Sequence, residues 1–138
     1  MHSGRCYCGA VTLTITAEPE TVTYCHCADC RRVTGAPVAA FVAFPVAGVA
    51  VSPDPGEVSA VVGVSRRFCR ICGSPLTATF DYLPGQIYVP LGVLDNPEAF
   101  PPEMHAHAER CLPWLKIDYA LPRSEGSARD DLNAAGNR

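Results

Sequence analysis

The sequence has no long run of like charge, no basic excess and no uninterrupted apolar stretch long enough to span a bilayer. Each absence excludes something. Of 138 residues, 11 are Lys or Arg and 14 are Asp or Glu, a formal net charge of −3. The electrostatic footprint of a nucleic-acid binder is therefore missing. The longest apolar run, Ala36 to Val51, is interrupted by Pro45 and Gly48 and falls short of the roughly 20 residues of a spanning helix. Buried strands are expected there, and no membrane association. The opening stretch MHSGRCYCGA lacks the apolar centre of a secretory leader. The expected location is the cytoplasm, where thiols stay reduced.

Helical apolar periodicity is also absent over any long stretch, whereas 13 prolines and 11 glycines cut the chain into short pieces. AVTLTIT, Ala10 to Thr16, alternates polar and apolar residues with period two, as a half-buried strand does. TVTYCH, PVAAFVAF and GEVSAVVGV read the same way. SPLTATF and GQIYVPLGV flank DYLPG, whose Pro84-Gly85 pair suits the centre of a type II turn, so a hairpin is expected. DNPEAF and ADCRRVT predict single helical turns, the first with an Asp or Asn cap and an early proline, and PWLKIDYAL looks extended. From Pro122 the chain is polar and small, and a frayed tail over 122–138 is expected. The prediction is one all-β domain over residues 1–121, with short helical turns only.

What the sequence has in abundance is cysteine, eight residues, seven of them in three clusters. In a reducing compartment such crowding points to metal ions in place of disulfides. CYCG holds Cys6 and Cys8, CHCADC holds Cys25, Cys27 and Cys30, and CRICG holds Cys69 and Cys72. Spacers of one or two residues let neighbouring thiolates face one point. Gly9 and Gly73 follow the outer pairs and allow a left-handed turn beneath a metal. The simplest pairing joins Cys6, Cys8, Cys69 and Cys72 into a closed four-thiolate zinc site, on the order of 10 kcal/mol of folding free energy. Cys25, Cys27 and Cys30 remain as a three-ligand set whose fourth place is open to water or a thiol, the catalytic arrangement. His26 in extended chain would point away from such a site, and closure by His105, His107 or Cys111 folding back is an alternative. Iron–sulfur and disulfide readings fit the spacings poorly. Seven thiolates around two Zn²⁺ would take the net charge to −6, which Arg5, Arg31, Arg32, Arg66, Arg67 and Arg70 lie near enough to offset.

In order, GRCYCGAVTLTI, CHCADCRRVTGAPVAAFVAFP, RRFCRICGSPLTATFDYLPGQIYVPLGVLDNPEAFPPEMHAH and PWLKI resemble the glutathione-dependent formaldehyde-activating enzyme family, which includes centromere protein V. The resemblance covers roughly residues 4 to 118. It implies a β-tent, two packed antiparallel sheets with zinc at one end. It also implies structural zinc at Cys6, Cys8, Cys69 and Cys72, and catalytic zinc at Cys25, Cys27 and Cys30. The reaction implied is that of a carbon–sulfur lyase, joining glutathione to formaldehyde as S-hydroxymethylglutathione. His105 takes the place of the family's histidine before the PW segment, as a proton carrier or a structural residue. Arg31 or Arg32 could pair with a substrate carboxylate, the alternative being compensation of the sulfur charge. Cys111 and the polar tail depart from the family's pattern, and Cys111 is expected to be a small apolar filler.

Two further classes compete with the enzyme. One is a binding module with both zinc ions structural. The other resembles B-type methionine sulfoxide reductases, with Cys111 as nucleophile.

Overall fold

The computed structural model describes residues 1–117 and 120–130. Among the described residues, ten strands form two sheets, connected by one α-helix and short 3₁₀ turns. β1 (His2–Arg5), β2 (Thr12–Ile15) and β5 (Val49–Ser52) make a three-stranded antiparallel sheet in the order β1-β2-β5. The second sheet has seven strands: β3 (Thr21–Cys25), β4 (Ala39–Pro45), β6 (Val58–Val61), β7 (Val64–Phe68), β8 (Pro75–Phe80), β9 (Gln86–Pro90) and β10 (Met104–Ala106). Their order is β10-β3-β4-β9-β8-β7-β6. The all-β class expected from the alternating patterns is found.

Period-two patterning accounts for the layers. In β2, Leu13 and Ile15 are buried and Thr12 and Thr14 exposed. In β9, Ile87 and Val89 are buried between half-buried neighbours. β4 is buried along most of its length, as befits a strand paired on both sides. The core between the sheets gathers Val11, Leu13 and Ile15 with Val42, Phe44, Leu76, Ile87 and Val89. Each fully buried side chain of this size contributes about 1.5–3 kcal/mol. Cys6 and Cys69 belong to the same cluster, so one sulfur site is continuous with the core.

Four local expectations need correction. GEVSAVVGV is two strands, because the chain turns at Val62 and Gly63, which has φ 80°. β10 pairs with β3 in parallel, so the larger sheet is mixed and not wholly antiparallel. DNPEAF forms a 3₁₀ turn over Pro97–Ala99, but no side chain caps it. PWLKIDYAL holds a turn at Pro113 and Trp114 followed by irregular chain to Ile117; Asp118 and Tyr119 lie outside the described residues. The hairpin expected at DYLPG joins β8 to β9, with Gly85 at φ 81°.

Of the segment expected to fray, residues 122–130 are described and run back along β10. His105 donates its N–H to the Pro122 carbonyl (3.0 Å), Ser124 donates to His105 (3.0 Å), and His107 donates to Gly126 (2.7 Å). Ser124 and Ala128 are buried. These backbone bonds supply an ordering force that polar composition does not reveal. Residues 131–138 lie outside the described part.

Candidate metal centre and cavity

Two turns build the first cluster. Cys6 and Cys8 follow β1, and Cys69 and Cys72 lie between β7 and β8. Gly9 donates its N–H to the Cys6 carbonyl (3.1 Å), and Gly73 donates to Cys69 (2.8 Å). Both glycines sit at positive φ, 81° and 78°, a conformation costly for any residue with a Cβ. These turns aim backbone N–H groups at sulfur: Val11 at Cys6 (3.3 Å) and Cys72 at Cys69 (3.5 Å). The sulfurs of Cys6 and Cys8 are 3.6 Å apart and those of Cys8 and Cys69 3.8 Å. All four ligand atoms lie within 4.8 Å of one another. The Ser74 hydroxyl, 3.2 Å from the Cys72 sulfur, is the main cause holding that thiol down to about 5. Four converging sulfurs, with the thiols of both Cys6 and Cys72 held below the ordinary value, suit Zn²⁺, which prefers four soft ligands.

The second cluster comes from one segment. Cys25 ends β3, and Cys27 precedes the helix α1 (Ala28–Thr34). The Cys27 sulfur caps that helix by accepting the Cys30 N–H at 3.3 Å. The Cys25 and Cys27 sulfurs are 3.5 Å apart, and the three ligand atoms lie within 4.8 Å of one another. Among the described residues no fourth Cys, His, Asp or Glu atom joins that group. Hydrogen bonds from Cys25 and then Cys30 pull the Cys27 thiol down to about 2, assisted by the Cys30 N–H and the nearby His107. Cys27 in turn pushes Cys25 up to about 12, and Cys25 and Cys27 push Cys30 upward. The trio thus has one thiolate and two thiols, a donor set that fits a divalent soft metal once the two protons leave.

The trio forms part of the wall of a cavity of about 390 Å³. Phe41, Phe80, Leu83 and Tyr88 give it an apolar side, and His107 and the returning segment Ser127–Arg129 close another. Such a volume is ordinary for a small-molecule site. Tyr88 donates its hydroxyl to Gln86 Oε1 (2.8 Å), which leaves its ring to the cavity.

The sequence-predicted accessory residues are placed elsewhere. His26 is fully buried and its Nε2 lies 2.7 Å from His105 Nδ1, and neither ring is in the ligand group of the trio. Burial, then His105, Arg123 and Arg31, push His26 down to about 4; burial and Arg123 also lower His105. Both imidazoles are neutral at pH 7. His105 does not line the cavity, whereas His107, considered in the sequence only as a closing ligand, does. Its backbone sits at φ 52°, a left-handed conformation uncommon outside glycine. Arg31 Nη1 donates to the carbonyls of His26 (2.6 Å) and Arg110 (2.8 Å), fastening α1 to the chain beyond β10. Arg32 lines a separate cavity of about 320 Å³. Cys111 is partly buried, with its thiol 3.5 Å from the Leu112 carbonyl, and lies outside the cavity lining. The aromatic wall and Arg129 have no sequence motif of their own.

Fold and site together define a class: an all-β protein with two cysteine clusters able to hold metal ions, one of four sulfurs and one of three. The family model for glutathione-dependent formaldehyde-activating enzymes matches residues 1–110, and the chain belongs to that family. A crystal structure of a Rhodobacter sphaeroides protein has the same fold, with a TM-score of 0.57 at 18% identity over 88% of this chain and 99% of that one. No curated protein matches.

Proposed function

We propose that this protein makes and breaks the carbon–sulfur bond between a low-molecular-weight thiol such as glutathione and a small aldehyde, formaldehyde in the family's named reaction. One observation carries the reading: a three-cysteine group with no fourth ligand among the described residues stands in the wall of a cavity. Closed four-ligand zinc sites are structural, and sites with three protein ligands are the catalytic kind. A Zn²⁺ held by Cys25, Cys27 and Cys30 would supply a soft Lewis acid that favours the thiolate form of an incoming thiol.

The chemistry is a balanced addition. The thiol sulfur bonds to the carbonyl carbon, the carbonyl π bond breaks, and the thiol proton ends on the former aldehyde oxygen; nothing is oxidised or reduced. His107 is the imidazole on the cavity wall, and we assign it the carriage of that proton in place of His105. The apolar side excludes water from the reacting atoms. Cys6, Cys8, Cys69 and Cys72 take the structural zinc. The reduced thiols this requires suit a cytoplasmic location.

Thiols add to formaldehyde rapidly without help, so the test reads exchange and not yield. Magnetisation-exchange NMR of glutathione with formaldehyde is expected to show acceleration by zinc-loaded protein. Cys27→Ser should lose at least about 100-fold of that acceleration while remaining folded with one zinc per chain. Full activity in Cys27→Ser, or its unfolding, overturns the assignment.

A further inference from the structure

Charge as well as sulfur lines the cavity, and it is unevenly used. Arg66, from β7, and Arg129, from the returning segment, both line it, with Asp29 of α1 as its carboxylate. The Arg66 guanidinium lies 5.5 Å from the centre of the Phe80 ring, which holds it against the wall. The neighbouring Arg67 is engaged by Asp54 at 3.1 Å and Glu57 at 3.3 Å, and Arg31 by two carbonyls. Among the described residues, neither Arg66 nor Arg129 has an ion-pair partner. Asp29 has none either. A guanidinium left unpaired in a cavity wall is suited to a carboxylate.

The position of Asp29 adds a second constraint. Asp29 and Arg66 line both the main cavity and the smaller one beside it, so they stand where the two adjoin. An anion and a cation at one junction, not bonded to each other, match the ammonium and carboxylate of an α-amino acid. Glutathione carries that zwitterionic head at its γ-glutamyl end and a single carboxylate at its glycyl end. Its two carboxylates find two guanidiniums in the wall, and its ammonium finds one carboxylate. About 390 Å³ far exceeds a one-carbon aldehyde, which needs little more than a water's ~30 Å³.

We propose that Asp29 and Arg66 bind the α-amino acid head of a γ-glutamyl thiol and that Arg129 binds its far carboxylate, with the thiol directed to Cys25, Cys27 and Cys30. The assignment deepens the thiol–aldehyde reading and rests on it for the direction of the sulfur. It replaces Arg31 and Arg32 as the carboxylate anchors.

Calorimetric titration of the zinc-loaded protein with S-methylglutathione, which cannot donate a thiol proton, separates binding from turnover. Arg66→Met is expected to weaken binding about 10- to 100-fold, the usual range for a charge-assisted hydrogen bond. Arg66→Lys should recover part of the loss. The more exposed Arg129→Met should lose about three- to tenfold. Asp29→Asn should weaken S-methylglutathione yet not its N-acetylated form, which has no ammonium. Circular dichroism and zinc content, unchanged in each variant, confirm that folding is intact. Arg66→Met should slow exchange of 2-mercaptoethanol, which has no charged group, less than it slows exchange of glutathione. Failure of wild type to bind S-methylglutathione, or binding indifferent to Arg66 and Asp29, overturns this assignment even if exchange activity is present. Arg66-dependent binding without exchange activity would uphold it and defeat the catalytic reading instead.

Discussion

The two cysteine clusters use the same sulfur chemistry on opposite chain geometries. Cys6 and Cys8 lie beyond β1 of the small sheet, and Cys69 and Cys72 join β7 to β8 of the large one. A metal there fixes residue 6 to residue 72 and one sheet to the other. Cys25, Cys27 and Cys30 span six consecutive positions between one strand and one helix. A metal there orders almost nothing that β3 and α1 do not already order. Loop-closure entropy grows by only ~0.6 kcal/mol per doubling of length, so the longer tie is worth on the order of 2 kcal/mol more. The larger difference is surroundings: Cys6 and Cys69 pack into the core between the sheets, while Cys25 and Cys30, though buried as well, stand in the wall of a cavity. Distant ligands rooted in the core make a clamp; local ligands beside a cavity leave a place for a guest.

Breaking the clamp should have the largest effect. Cys69→Ser removes a ligand 2% exposed and is expected to abolish cooperative thermal unfolding, since structural zinc contributes on the order of 10 kcal/mol. A normal melt by circular dichroism, with two zinc ions retained, would erase the distinction drawn here.

The trio should instead announce itself through protons. Its metal-free form carries a thiolate at Cys27, held down to about 2, and thiols at Cys25, pushed up to about 12, and at Cys30, also raised. Metal capture must expel two protons between those limits. Protons therefore compete with the metal, and apparent affinity should rise about 100-fold per pH unit from pH 5 to 8. Calorimetry of Cys69-intact protein in buffers of different ionisation enthalpy counts the protons directly. A pH-independent affinity would contradict the thiolate count.

Replacing the cavity imidazole comes next. His107→Ala is expected to slow exchange about 100-fold, chiefly in kcat, with zinc content and melting temperature near wild type. His105→Ala should show the reverse, a stability loss from the buried His26 partner and little direct effect on exchange.

The smallest effect lies in the charges near the clamp. Asp54 accepts hydrogen bonds from the Gly56 N–H (2.8 Å) and Arg67 (3.1 Å), which in that order hold its carboxyl below the usual carboxylate range. A lowered carboxylate pKa stabilises the fold above the unfolded value and loses that contribution as pH falls through the folded one. Asp54→Asn should thus melt slightly below wild type at pH 7 and converge with it once the pH falls through the lowered carboxyl value. A difference that persists in acid would point to packing and not charge.

The clusters and the central strands were legible because their signals are local: cysteine spacing, period-two alternation, Pro84-Gly85 at the hairpin. Val62-Gly63 was not, since a turn made of Val and Gly hides within a β-branched run; only the full exposure of Val62 betrays it. β10 is three residues long, and its parallel pairing depends on a return of the chain from β9 that no neighbouring residue specifies. The same return decides between the histidines. Met104–Ala106 lies in register with Thr23–Cys25, which turns His105 toward His26 and leaves His107 to the cavity. Arg129 has no local signal at all; backbone bonds from His105 and His107 to the segment after Pro122 bring it there.

The spacing of the sulfurs also sets the order in which they leave the ribosome. By residue 30 all three ligands of the trio have been polymerised, but the clamp waits for residue 72, another ~2–8 s at ~5–20 residues per second. A nascent chain therefore offers its claw to the metal pool before its clasp exists. Cys6 and Cys8 spend that interval as an unpaired tweezer, and the final architecture requires that the early claw does not capture them.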